Sequence, residues 1–249
     1  MLHYFLVPLS DDFGLFNLFR YISFRTGGAT ITALIISFLV GPVFIRWLRK
    51  AQAGARNIRE DVTYQHLQKA GTPTMGGVLI LFSLIISTLL WMDITNQLTW
   101  FVVMITCAFG CIGGIDDYMK LIKKNSHGLR GRAKLLLQAI FAIIGVYGIT
   151  QLMPQDLAFQ VAVPFLKSVL LDFGLGFLLF GAVVIIGASN SVNLTDGLDG
   201  LAIVPVMICA ACFALIAYVV GNALYAQYLQ LHFVPGTGEL TIFCGAIIG

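Results

Sequence analysis

The sequence predicts an all-α protein, a polytopic bundle of transmembrane helices. Of its 249 residues, 58% are hydrophobic and only 11% are charged, whereas soluble chains carry roughly 25% charged residues. The apolar residues also fall into long runs, and about 20 residues at a rise of 1.5 Å cross the hydrocarbon core of a bilayer. These two observations exclude a soluble globular core.

Six of the runs are long enough to span a bilayer, and the start of a seventh is visible at Leu240. None of the six contains an acidic residue, and their single base, Arg46, lies close enough to the end of its run to reach the interface. The predicted spans are residues 27–48, 76–92, 99–115, 135–153, 173–189 and 201–220.

The first 26 residues are aromatic-rich, and they lack the basic start of a signal peptide. We therefore expect residues 1–26 to form an interfacial segment. Between the fourth and fifth spans, the alternating pattern of residues 157–165 predicts a short external strand.

Lysine and arginine predict the orientation, because short cytoplasmic loops are enriched in them. Of the 15 bases, six lie in residues 46–69 and six in residues 120–134. These segments follow the first and third spans, so the sequence predicts that both are cytoplasmic and that the amino terminus is outside. The expected cytoplasmic active-site loops are residues 49–75, 116–134 and 189–200.

The last apolar run begins near Leu240, and the sequence reaches Gly249 after ten residues. Ten residues are too few to cross a bilayer. We therefore expect residues 1–249 to be the N-terminal portion of a single integral-membrane domain that continues further.

The first candidate segment joins a basic loop to the second span. Glycines and Pro73 predict a tight turn with exposed N–H groups, and Thr72 and Thr74 add hydroxyls. The helix that follows would direct its positive dipole end towards the cytoplasm. The segment fits an anion site, and it also fits a plain turn at the start of a helix.

The second candidate segment is Asp116, Asp117 and Lys120, directly after the third span. Two adjacent carboxylates repel each other, so this pair favours a bound cation or a shared proton. Helical spacing would bring Lys120 close enough to pair with either acid. A solvated cluster at the end of a span is the alternative, although acids at a helix carboxyl end oppose the dipole.

The third candidate segment contains Asn193, Asp196 and Asp199, which recur at every third residue. A helical turn would place all three on one face, and Asp or Asn also suits the cap of the next span. A calcium loop is excluded because its terminal Glu is absent.

Topology brings these segments, with four carboxylates and several lysines, to one face of the bundle. A divalent cation would resolve the repulsion between acids and a phosphate by bridging them. The pattern therefore predicts Mg²⁺-dependent phosphoryl transfer at the cytoplasmic membrane surface. A transporter or proton relay is the rival class, but such proteins place acids near the middle of the bilayer.

Three motifs in this order carry a resemblance along essentially the whole chain. They are GTPTMGG at residues 71–77, DDYMK at 116–120 and NLTDGLDGLA at 193–202. The sequence resembles the phospho-N-acetylmuramoyl-pentapeptide transferases of bacterial cell-wall synthesis. In the wider superfamily of polyprenyl-phosphate N-acetylhexosamine-1-phosphate transferases the second motif usually reads DDxxD, so Lys120 favours the muramoyl branch.

The resemblance implies transfer of phospho-MurNAc-pentapeptide from UDP-MurNAc-pentapeptide to undecaprenyl phosphate, with Mg²⁺ as cofactor and lipid I and UMP as products. By motif position, Asp116 deprotonates the lipid phosphate, or the Asp pair supplies a nucleophile in a two-step scheme. Asp117, Lys120 and Lys134 match other polar residues of the cleft. The positions matching the uridine and nucleoside pocket are Lys69, Thr74, Asn193, Asp196, Gly197, Leu198 and Asp199.

The resemblance also implies a multi-pass protein of the bacterial inner membrane whose partners are the two substrates and the bilayer, with a homodimer as a further expectation and no nucleic acid. Members have about ten spans, a further Mg²⁺-binding Asp after the seventh and a later His-rich loop. Both features would lie beyond Gly249, so Asp116 and Asp117 are the metal ligands considered in this chain. The alternatives are a transferase that uses UDP-GlcNAc and a catalytically incompetent fragment.

Overall fold

The computed structural model describes residues 1–52, 75–123, 128–163, 166, 169–195 and 200–249. Within these residues the chain is an all-α bundle with one small two-stranded sheet, as the sequence predicts. The helices are α1 (Leu2–Leu6), α2 (Ile22–Ala51), α3 (Gly77–Trp91), α4 (Gln97–Lys123), α5 (Gly131–Leu152), α6 (Gly176–Thr195), α7 (Ile203–Val220), α8 (Ala223–Leu229) and α9 (Leu240–Ile248).

Five helices of the described part are long and apolar enough to cross a membrane: α2, α4, α5, α6 and α7. The second predicted span, residues 76–92, is the apolar helix α3, which has only 15 residues. At 1.5 Å per residue it is about 22 Å long, shorter than a typical hydrocarbon core. All six predicted spans are therefore apolar helices, and only α3, the second, is shorter than a typical membrane span.

The amino-terminal segment is not one continuous helix. After α1 the chain forms 3₁₀ turns at Val7–Asp11, where Pro8 stands near the start, and at Gly14–Arg20. Helix α2 begins at Ile22, so residues 22–26 of the segment predicted as interfacial are the first residues of the helix that contains the first predicted span. The apolar run that predicted this span starts only at residue 27, because the charged residue Arg25 precedes it, and it is therefore shorter than the helix.

The short strand predicted within residues 157–165 is present as β1 (Gln160–Ala162). It pairs antiparallel with β2 (Leu170–Asp172), with Val161 opposite Leu171. This hairpin connects α5 to α6 at the end of the bundle opposite Asp116.

The core lies where α2, α3, α4 and α9 meet. Its buried side chains are Ala29, Leu84, Val103, Ile242, Phe243 and Ala246. Small residues allow α5 to pack closely on α4 and α6 to pack closely on α5, since a side chain at Gly148 would overlap the ring of Phe101 on α4 and one at Gly181 would overlap Val146 on α5. Close approach at small residues is typical of helix pairs in membranes.

At their carboxyl ends, α4 and α6 extend furthest past the apolar runs that predicted them. Helix α4 continues from the predicted end at residue 115 to Lys123, and α6 continues from residue 189 to Thr195. The predicted loops 116–134 and 189–200 are therefore helical in their first parts. Hydropathy marks where the bilayer ends, whereas a helix continues into polar sequence wherever its side chains find partners.

Candidate active site

The last turns of α4 hold two carboxylates around one ammonium group. The Lys120 Nζ lies 2.6 Å from Asp116 Oδ2 and 3.2 Å from Asp117 Oδ1. The Asp116 side chain is 13% exposed, against 34% for Asp117, so the first carboxylate is the more buried. Lys120 therefore offsets the repulsion between the two acids, as the helical spacing predicts.

The turn before α5 closes over Asp116. The backbone N–H of Leu129 donates a hydrogen bond of 2.7 Å to Asp116 Oδ1, so both oxygens of this carboxylate have a partner. Gly128 stands so close that a Cβ there would overlap the Asp116 carboxylate and contact Lys120 Cε. Sequence reasoning missed both residues; the glycines at 128 and 131, flanking the turn into α5, were the available signal.

Lys134 adds a second positive charge at this end of the bundle. It lies in the first turns of α5, which begins at Gly131, and its charge acts on Asp116. Predicted residues Asp116, Asp117, Lys120 and Lys134 are thus brought together. The arrangement joins two acids and two bases at the end of adjacent helices, as a site for a phosphate and a bridging cation requires.

Asn193 is exposed on the last turn of α6, near the end of that helix at Thr195. The chain then re-enters the described part at Gly200, whose φ of 81° lies in the left-handed region that glycine adopts without strain. The other predicted nucleoside-pocket residues lie outside the described residues: Lys69, Thr74, Asp196, Gly197, Leu198 and Asp199.

The start of α3 carries the strained residue Met75. Its φ is 73°, in the left-handed region, and α3 begins two residues later at Gly77. A non-glycine residue held there costs of order 1–3 kcal/mol and is commonly found at functional sites. Of the tight turn predicted for residues 69–77, residues 69–74 lie outside the described residues.

An apolar cavity of about 610 Å³ lies between α4, α6, α7 and α9. It extends from Thr195 and Ala202, at the Asp116 end of the bundle, to Thr237 and Leu240 at the other end. Because its walls are almost wholly apolar, it suits a hydrocarbon chain and not a nucleotide.

The carboxylates of the α4 cluster have the oxygen donors that Mg²⁺ prefers. Among the residues that the structure describes, no group of three or more His, Cys, Asp or Glu side chains could hold a metal ion. Mg²⁺ is commonly bound by one or two carboxylates together with substrate phosphates, so the Asp116 and Asp117 pair fits this mode of binding.

Comparison with known proteins gives concordant matches. Residues 99–243 match the model of glycosyl transferase family 4, and residues 69–81 match phospho-N-acetylmuramoyl-pentapeptide-transferase signature 1. A Granulibacter bethesdensis protein named phospho-N-acetylmuramoyl-pentapeptide-transferase is 57% identical over 243 residues, which are 97% of this chain and 67% of that protein. A Maricaulis maris protein of the same name is 50% identical over 255 residues, covering 100% of this chain and 70% of its own length.

Proposed function

Since the chain belongs to the phospho-N-acetylmuramoyl-pentapeptide-transferase family, we propose that it transfers phospho-MurNAc-pentapeptide from UDP-MurNAc-pentapeptide to undecaprenyl phosphate. The products are lipid I and UMP, and the reaction serves peptidoglycan synthesis. The observation that carries this proposal is the 57% identity to a transferase of that name over 97% of the chain. The alternative donor UDP-GlcNAc is not favoured, because residues 69–81 match a signature of the phospho-N-acetylmuramoyl-pentapeptide transferases.

The reaction is a displacement at phosphorus. An oxygen of the acceptor phosphate forms a bond to the phosphorus that carries the sugar, and the bond from that phosphorus to the bridging oxygen of UMP breaks. UMP leaves with the electron pair. Catalysis of this kind depends on positioning and on neutralising charge.

Asp116 and Lys120 have complementary roles in this proposal. While Lys120 Nζ pairs with Asp116 Oδ2, the carboxylate is a weak proton acceptor. An incoming phosphate attracts Lys120 and frees Asp116 Oδ2 to accept a proton from the acceptor phosphate. Asp116 keeps its orientation through the Leu129 N–H, which supports a role as base and not as nucleophile.

Asp117 and Asp116 would hold Mg²⁺ together with the substrate phosphates. The ion, when bound, neutralises the charge between carboxylates and phosphate oxygens. Asp117 is the more exposed of the two acids, so its carboxylate is the more accessible to an ion from solvent. Lys134 contributes a further positive charge for the phosphates.

Asn193 at the end of α6 belongs to the nucleoside side of the site in this proposal, together with the motif positions outside the described residues. The apolar cavity that reaches Thr195 supports an acceptor with an apolar tail. The lysines and arginines concentrated in residues 46–69 and 120–134 support a cytoplasmic location for the end of the bundle that carries Asp116. The protein would then lie in the bacterial inner membrane with its amino terminus outside.

The test uses the purified chain in detergent with UDP-MurNAc-pentapeptide, undecaprenyl phosphate and Mg²⁺, and it measures release of UMP and formation of lipid I. Parallel reactions contain UDP-GlcNAc in place of the muramoyl donor, or no lipid phosphate. Lipid-dependent UMP release from the muramoyl donor alone is the expected result. Release from UDP-GlcNAc alone, or none from either donor, would contradict the proposal.

A further inference from the structure

A pair of amide side chains, buried Gln138 and half-buried Asn190, links α5 to α6 one helical turn below the site. The Asn190 Nδ2 donates hydrogen bonds of 2.9 Å to Gln138 Oε1 and of 2.9 Å to the backbone oxygen of Ile186. Gln138 is 3% exposed, and both helices are apolar enough to span a membrane. A buried amide in such a setting is costly unless it is paired, so the interhelical bond constrains both helices.

The pair lies directly behind two of the predicted site residues. Lys134 is four residues before Gln138 on α5, so both share a face, and Lys134 is about 6 Å nearer the Asp116 end. Asn193 follows Asn190 by three residues on α6 and is likewise one turn nearer that end. A shift between α5 and α6 at Gln138 would therefore move Lys134 relative to Asn193.

The tight apolar contact between α5 and α6 at Gly181 lies away from Lys134 and Asn193. In the half of the bundle away from Asp116, α5 and α6 meet where Val146 packs against the backbone of Gly181. This contact sets how closely the two helices approach, but it lies eight residues, or about 12 Å, from Gln138 along α5, so it constrains the site end of the two helices less directly than a bond at Gln138 does. A hydrogen bond between side chains has a preferred length and direction, so it also sets the axial position of one helix against the other.

We propose that Gln138 is a positioning residue for the transfer reaction, acting through Asn190 to fix α5 against α6 and so to hold Lys134 and Asn193 in register across the site. The proposal rests on the proposed transferase function for its kinetic consequence. Its structural consequence, a fixed α5–α6 register at the Asp116 end, is measurable without the reaction.

The kinetic test is a double-mutant cycle with volume-conserving substitutions, Gln138→Met and Asn190→Leu, in the full chain. Gln138→Met should lower kcat roughly three- to tenfold, the factor that one interhelical hydrogen bond is worth, while the KM values change by less than about twofold. In the Asn190→Leu background the same substitution should have no further effect, because its route of action is already lost.

Thr150→Val is the matched control, since Thr150 is 4% exposed on the opposite half of α5 and donates a hydrogen bond within its own helix. It should lower thermal stability to a similar extent and leave kcat unchanged. The proposal is wrong if Gln138→Met behaves like this control, or if the losses from Gln138→Met and Asn190→Leu multiply.

The structural test uses spin labels on the exposed positions Leu135 and Ser191 after replacement of the five cysteines. A broadened or shifted distance distribution in Gln138→Met, but not in Thr150→Val, supports the proposal, and an unchanged one overturns it. If the unsubstituted protein releases no UMP, the transferase function fails while these distances still decide whether Gln138 sets the register.

Discussion

Arg25 and Glu239, 214 positions apart in the chain, form a bidentate ion pair with Nη1–Oε2 and Nη2–Oε1 distances of 2.8 and 2.6 Å. Their side chains are only 3% and 11% exposed. The pair joins the start of α2 to the 3₁₀ turn before α9, and Glu239 also accepts the backbone N–H of Asp93. It therefore ties three parts of the chain together at the end of the bundle opposite Asp116.

Glu239→Gln should destabilise the protein strongly, because it leaves the guanidinium of Arg25 buried without a counter-charge. Removing one partner of a buried pair costs about 3–5 kcal/mol, whereas replacing both with apolar residues is often neutral. The double variant Arg25→Met with Glu239→Leu should therefore recover much of the loss. Unfolding in mixed detergent micelles measures both, and a single variant as stable as the unsubstituted protein would contradict this account.

The stability of the protein should depend on pH through His3, which lies near Arg25 and Glu239 at the end of the bundle opposite Asp116. Burial and the nearby Arg25 guanidinium hold the pKa of His3 below its ordinary value of 6.5, although Asp93 raises it. The unfolded chain therefore takes up this proton first as the pH falls. The contribution to stability is complete above pH 6.5 and decreases as the pH falls from there through the folded pKa.

We expect the thermal midpoint to decrease between about pH 7 and pH 5, and His3→Gln to flatten that part of the profile. His232→Gln is the control, because His232 is an exposed histidine in the chain before α9. Equal slopes for the unsubstituted protein and His3→Gln would show that other groups govern the profile.

The sequence predicts the fold and part of the site for identifiable reasons. Apolar runs locate the spans because the bilayer imposes a length, and the spacing of Asp116 and Lys120 predicts their contact because helix geometry is local. The Arg25–Glu239 pair escapes such reasoning, because no periodic pattern connects residues so far apart. Sequence spacing also does not reveal the hydrogen bond from the Leu129 N–H to Asp116, because this bond depends on how the turn before α5 folds back onto α4.

Gly128→Ala should impair the site without unfolding the protein. The added Cβ would overlap the Asp116 carboxylate and contact Lys120 Cε, so the ion pair must shift. Misplacement of reacting groups by about 1 Å costs up to roughly a hundredfold in rate, so we expect a decrease in kcat of roughly tenfold to a hundredfold. Gly131→Ala is the matched control, since a Cβ there meets nothing within 4 Å. Equal activity of the two variants would exclude a constraint at Gly128.

Asp116→Asn should lower kcat by roughly 10²- to 10⁴-fold, the range in which a positioned proton acceptor contributes. The amide keeps the shape of the side chain but cannot accept the proton, and it no longer offsets the charge of Lys120. Asp172→Asn, at the end of β2 and on the opposite side of the bundle, removes an equal charge and should leave kcat unchanged. UMP release under single-turnover conditions measures the chemical step directly. Near-normal turnover by Asp116→Asn would assign the base to another residue, and Asp117→Asn is the variant that tests its neighbour.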